Sequence, residues 1–142
     1  MVVVRRGVTR TVFLVWHWAI KVPAFRPIGG RHGIRGRVAG FATGYLANLS
    51  EQTWSSYRPW SEGVAPVLRS WLWGVIQVYP RCDPVDQTDW VYDGDPIAID
   101  SGWRYKGKVP LPVLYPEPGD FKADNFGWLD GRIVRVDYSM ER

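Results

Sequence analysis

The sequence predicts an α+β fold: a small antiparallel β-sheet with one long helix, followed by an irregular proline-rich segment and a closing β-hairpin. Three observations carry that expectation. β-Branched and aromatic runs come first, one stretch of helical periodicity interrupts them, and an Asp-Gly pair sits between two apolar runs near the end. With 142 residues, 46% of them hydrophobic and 23% charged, the chain is long enough and apolar enough to bury a core of its own.

Val2–Val4 and Thr11–Trp16 read as strands, separated by Arg5–Arg10 with its single Gly7. Trp18–Val22 reads as a third strand, stopped by Pro23. Pro27, Gly29, Gly30, Gly33 and Gly36 then make a loop. From about Arg37, the residues Val38, Phe41, Ala42, Tyr45, Leu46 and Leu49 recur at three- and four-residue steps. That spacing predicts a helix that buries this face and ends before Pro59. Gly40 and Gly44 each cost about 1 kcal/mol inside it, so a neighbour is expected to pack close there. Val64–Leu72 and Gly74–Tyr79 read as two more strands, the second closed by Pro80.

Residues 83–118 hold Pro84, Pro96, Pro110, Pro112, Pro116 and Pro118 and no helical period. They are expected to be irregular, with one hairpin around Gly102–Gly107. Asn125–Leu129 and Arg132–Tyr138 flank Asp130-Gly131, the strongest short hairpin signal. The expected organisation is one domain, with residues 1–80 as sheet and helix, 81–118 as a linker segment and 119–142 as the final loop and hairpin. Of the nine tryptophans, Trp16 and Trp18 would share a strand face, as would Trp71 and Trp73. Core filling is their expected role. Base stacking or a protein interface is the alternative.

Residues 1–50 carry eight basic residues and no acid, whereas 51–142 carry ten basic and fourteen acidic residues. A positive first half suits a polyanion such as a nucleotide phosphate or a nucleic acid. No run reaches the roughly 18 apolar residues of a spanning helix, so no membrane partner is expected. Arg5, Arg6 and Arg10 break any leader-like apolar stretch. Cys82 stands alone, which excludes an internal disulfide and a Cys-based zinc site and points to a cytoplasmic setting. His17 and His32 add no ligand spacing to it. The Gly29–Arg37 run leads into the helix with three arginines and is a candidate anion loop.

The segment Gly119-Asp120-Phe121-Lys122-Ala123-Asp124-Asn125 has the spacing D-x-K-x-x-N, and Asp137-Tyr138-Ser139 follows the hairpin. It resembles the catalytic loop and metal-binding segment of the protein-kinase-like superfamily. Trp18-Ala19-Ile20-Lys21-Val22-Pro23 resembles that family's third strand, V-A-I-K. The resemblance spans most of the chain and is strongest at 18–23 and 119–139. The stretch Phe126–Val134 is also similar to short uncharacterised phage and prophage kinase-like reading frames.

The resemblance implies a kinase N-lobe-like sheet and helix and a catalytic-loop-like hairpin; the family's helical C-lobe is expected to be missing, which is a departure from the family. It implies Asp120 as the base, Lys122 steadying the transferred phosphate, Lys21 on the phosphates of ATP with Glu51 holding its ammonium, and Asn125 and Asp137 on Mg²⁺. These are suitable types: an ammonium is a point charge for phosphate, and side-chain oxygens suit magnesium. The Asp130-Gly131 turn would bring Asn125 and Asp137 side by side. The pattern departs from the family at several places. The Gly-rich loop is replaced by Arg5-Arg6-Gly7-Val8-Thr9-Arg10, Pro118-Gly119 stand before Asp120, and Ser139 replaces a glycine. The expected function is a minimal kinase-like protein binding Mg²⁺ and ATP and transferring phosphate. The alternative is a catalytically inactive, pseudokinase-type binding protein. The expected partners are a nucleotide and a protein or second copy supplying the missing lobe, with nucleic acid as the weaker option.

Overall fold

In a computed structural model the described residues are 1–57, 63–93, 100–112 and 123–137. The fold is α+β, with one α-helix and several small antiparallel sheets among the described residues. The chain divides into two compact units. Unit 1 holds Met1–Thr53 and Pro66–Arg81, and unit 2 holds Trp54–Ala65 and Cys82–Tyr138. No helix among the described residues is long and apolar enough to cross a membrane.

Unit 1 is a five-stranded antiparallel sheet with a helix against it. Its strands are β1 (Val2–Arg6), β2 (Arg10–Val15), β3 (Trp18–Pro23), β4 (Arg69–Trp71) and β5 (Ile76–Pro80), in the order β1-β2-β3-β5-β4. Helix α1 (Gly33–Ser56) connects β3 to β4. Tight reversals join β1 to β2 and β2 to β3, so Val12 pairs with Lys21 and Arg10 with Pro23. The expected strand over Val64–Leu72 is short. Arg69–Trp71 alone forms it, and a 3₁₀ turn at Leu72–Gly74 reverses the chain into β5. Leu72, Trp73 and Gly74 all have positive φ there, which is costly for the first two.

The helix does not bury the face that periodicity marks. Its buried positions are Gly36, Gly40, Gly44, Ala47, Asn48 and Glu51, while Val38 and Leu46 are exposed. Small residues win that side because backbone comes up against it. A Cβ at Gly40 would run into the Arg26 carbonyl, and one at Gly44 into the Thr9 carbonyl and the Pro23 backbone. The expected close neighbour at Gly40 and Gly44 is therefore present, and the apolar stripe is turned away from it. The tryptophan expectation is corrected for the same unit. Trp16, Trp18, Trp71 and Trp73 are all exposed, since they lie in or beside reversals, where no second layer covers them.

Unit 2 contains two three-stranded antiparallel sheets. One has the order β11-β10-β6, from β6 (Asp83–Pro84), β10 (Phe126–Leu129) and β11 (Arg132–Arg135). The other has the order β7-β8-β9, from β7 (Trp90–Tyr92), β8 (Asp100–Tyr105) and β9 (Val109–Pro112). Segment 83–118 is thus not irregular over its described residues. Its prolines are compatible with strands because Pro84, Pro110 and Pro112 fall on the edge strands β6 and β9. The expected hairpin near Gly102–Gly107 is β8–β9, turning at Lys106 and Gly107 with φ of 53° and 65°. Residues 94–99 and 113–118 lie outside the described residues. The Asp130-Gly131 hairpin forms as expected, with Leu129 opposite Arg132 and both turn residues at positive φ. Val85, Tyr105, Leu111, Phe126 and Ile133 form the core of this unit, with Trp90, Trp103 and Trp128 packed on it. Trp90 meets Phe126 edge-on at 5.0 Å, and Tyr105 meets Trp128 likewise at 5.3 Å.

Candidate functional site

Strand alternation places Arg10, Lys21, Gln77 and Tyr79 on one face of the sheet. Val12 pairs with Lys21 and Lys21 with Gln77, while Arg10 and Tyr79 lie two residues from members of that row. Helix α1 covers this face through its glycine side, so the residues two turns further along it, Asn48 and Glu51, also point at the sheet. Asn48 fixes the helix against the turn before β5. Its Nδ2 donates to the Gly74 carbonyl at 2.9 Å, and its backbone carbonyl accepts from Gln77 Nε2 at 2.8 Å.

Glu51 is the centre of the cluster. Lys21 Nζ donates to its Oε2 at 2.8 Å, and Arg10 Nη1 sits 2.7 Å from its Oε1. The Tyr79 hydroxyl lies 2.6 Å from Glu51 Oε2 and 2.6 Å from Gln77 Oε1, and has one proton to donate between them. The Tyr79 ring also lies 4.4 Å from Lys21 Nζ. Glu51 is fully buried and Lys21 is 6% exposed. Burial by itself pushes the Glu51 carboxyl up, but the charges of Lys21 and Arg10 and the hydrogen bonds from Lys21 and Tyr79 outweigh it. The carboxyl is held at about 2. The arrangement fixes one ammonium and one guanidinium on a dry carboxylate, on neighbouring strands, with an aromatic ring over the ammonium.

The pair Lys21–Glu51, named from the sequence, is therefore in contact. The sequence reading missed the role of Arg10, Tyr79 and Gln77. The signal was there in the register: a tight reversal at Trp16-His17 places Arg10 on the same side of the sheet as Lys21.

Asn125 and Asp137 lie in unit 2, at the open end of the β10–β11 hairpin. Asn125 closes a 3₁₀ turn, Ala123–Asn125, just before β10, and Asp137 follows β11. The ladder continues past the strands. Val136 N–H donates to the Asn125 carbonyl at 2.8 Å, Asp137 N–H reaches it at 3.4 Å, and Arg135 Nε donates to the Asp137 carbonyl at 3.0 Å. The backbones of Asn125 and Asp137 are thus side by side, with Asn125 half-buried and Asp137 exposed. Among the described residues no three His, Cys, Asp or Glu side chains cluster as a metal cage. Asp120 and Lys122 lie outside the described residues. Of the Gly29–Arg37 run, only residues 29–32 form an exposed loop, while Gly33 to Arg37 are already the first residues of α1; Gly29, Gly30 and Gly33 lie in the left-handed region.

Comparison with protein-family models, with curated proteins and with solved structures finds no match to this chain.

Proposed function

We propose that the chain is a minimal protein-kinase-like protein that binds Mg²⁺ and ATP, with transfer of phosphate as its further capacity. The observation that carries this reading is the buried 2.8 Å ion pair between Lys21 on the third strand and Glu51 on helix α1. The sheet order β1-β2-β3-β5-β4 with a helix between β3 and β4 supports it. In this reading Lys21 supplies positive charge to phosphate, and Glu51 orients it. Asn125 and Asp137 are the oxygen ligands of Mg²⁺. Two protein oxygens fit that ion, which takes few protein ligands and completes its shell with water and phosphate. When bound, the metal neutralises phosphate charge. Asp120 is the proposed base and Lys122 the proposed contact to the transferred group.

The test is calorimetric titration of ATP with and without Mg²⁺. Binding that strengthens with Mg²⁺ is expected. Asp137→Ala should remove the metal dependence while leaving the protein folded, because Asp137 is exposed. No heat from a folded sample at millimolar nucleotide overturns the reading.

One observation favours a second reading, a non-catalytic binding protein. Lys21 is committed to Glu51 and covered by Tyr79, rather than open to a ligand. Under that reading Asp120→Ala and Asp137→Ala leave the biological effect intact.

A further inference from the structure

Helix α1 carries a second face that the sheet leaves uncovered. Ile34, Val38, Phe41 and Tyr45 follow at four-, three- and four-residue steps, the spacing of a coiled-coil seam. Ile34 is 68% exposed and Val38 53%. A single exposed apolar residue is unremarkable, but a continuous row needs an explanation. The row runs up to the turn between β4 and β5. The Tyr45 hydroxyl donates to the Trp73 carbonyl at 3.0 Å, and Leu49 lies against Gly74. Trp73 stands at that end of the seam, 88% exposed, with Leu72 beside it. Both are held at positive φ, 55° and 51°, a conformation that bulky residues adopt at a cost.

Charge selects the occupant. Arg35 and Arg37 occupy the two positions that flank a seam in this register, and both are exposed. Among the described residues of unit 1, Glu51 is the only acid, and it is fully buried. Every described ionised side chain exposed on this unit is therefore cationic.

We propose that this face docks an amphipathic helix of a partner protein, with apolar side chains at the same spacing and Glu or Asp opposite Arg35 and Arg37. Trp73 caps the end of the docked helix as an aromatic anchor. Ile34 and Val38, the more exposed half of the row, are aliphatic and offer no face to a base, whereas Phe41 and Trp73 do. Tighter binding of a single-stranded oligonucleotide than of the Glu peptide described below therefore also overturns the proposal. The paired register, with one cation on each flank, is the pattern by which helices recognise helices rather than lipid. The proposal is independent of nucleotide binding.

The probe is a fluorescent three-heptad peptide with Leu at the seam positions and Glu at the flanking ones, followed by anisotropy at low salt. A second peptide carries Lys in place of Glu, and vesicles of phosphatidylcholine with phosphatidylserine form a third arm. Saturable binding of the Glu peptide is expected, weakening as salt rises, with the Lys peptide at least about tenfold weaker. Phe41→Glu should weaken it by about tenfold or more. The double variant Arg35→Glu, Arg37→Glu should reverse the preference toward the Lys peptide. These are exposed positions, and circular dichroism checks that each variant keeps its fold. Equal affinity for the two peptides, indifference to Phe41→Glu, or binding to vesicles without binding to the peptide overturns the proposal.

Discussion

At the scale of single residues, Glu51 decides most. Its carboxylate is shared by Lys21 and Arg10, so Glu51→Ala removes the anion that both buried cations use. Breaking such a pair costs about 3–5 kcal/mol, and urea unfolding should show a loss of that order. The pH dependence has a definite sign. The folded carboxyl sits at about 2, below its ordinary 4.5. Its contribution is therefore complete above about pH 4.5 and is lost as the pH falls from there toward about 2. Urea midpoints measured across that window should fall more steeply for the native chain than for Glu51→Gln, and parallel slopes would remove Glu51 from the account. Lys21 and Glu51 were paired from sequence through the resemblance of Trp18–Pro23 to a kinase third strand, with Glu51 the one acid that the following helix offers. Arg10 was not, because nothing in its own neighbourhood says which way it faces. Only the pairing of β2 with β3 does.

At the scale of elements, α1 shows why a period can mark the wrong side. Large apolar residues at helical spacing ordinarily face the core. Here the sheet and the 24–31 loop come so near that only glycine backbones fit, and the large residues turn outward. Gly40→Ala tests this. Alanine raises intrinsic helix stability by about 1 kcal/mol, yet its methyl group meets the Arg26 carbonyl, which is backbone and cannot swing aside. A net loss of about 1–3 kcal/mol is expected in denaturant titrations, and a gain would refute the close approach. Segment 83–118 was misread for a different reason. Proline density signals irregular chain only when each proline would have to donate to a central ladder, and edge strands make no such demand. The β10–β11 hairpin was legible because Asp-Gly specifies its turn locally.

At the scale of the whole molecule, charge is segregated by unit. The described residues of unit 1 hold ten cationic side chains against one acid. Self-repulsion on that scale is screened by salt, whereas the buried Glu51 cluster is affected far less. The melting temperature should therefore rise by a few degrees as sodium chloride is added from low ionic strength. A fall would mean that exposed attractions outweigh repulsion. The sequence displayed this imbalance from the start, but not that Glu51 would be withdrawn from the surface, leaving the described residues of unit 1 with no exposed acidic side chain.

Seven of the nine tryptophans fall into two groups of different exposure, which can serve as separate optical reporters. Trp90, Trp103 and Trp128 are packed on the interior of unit 2, whereas Trp16, Trp18, Trp71 and Trp73 meet water on unit 1. Iodide and acrylamide should quench the second group first. One emission record, taken with and without quencher, can then follow ligand engagement and melting as distinct signals, with no dye attached.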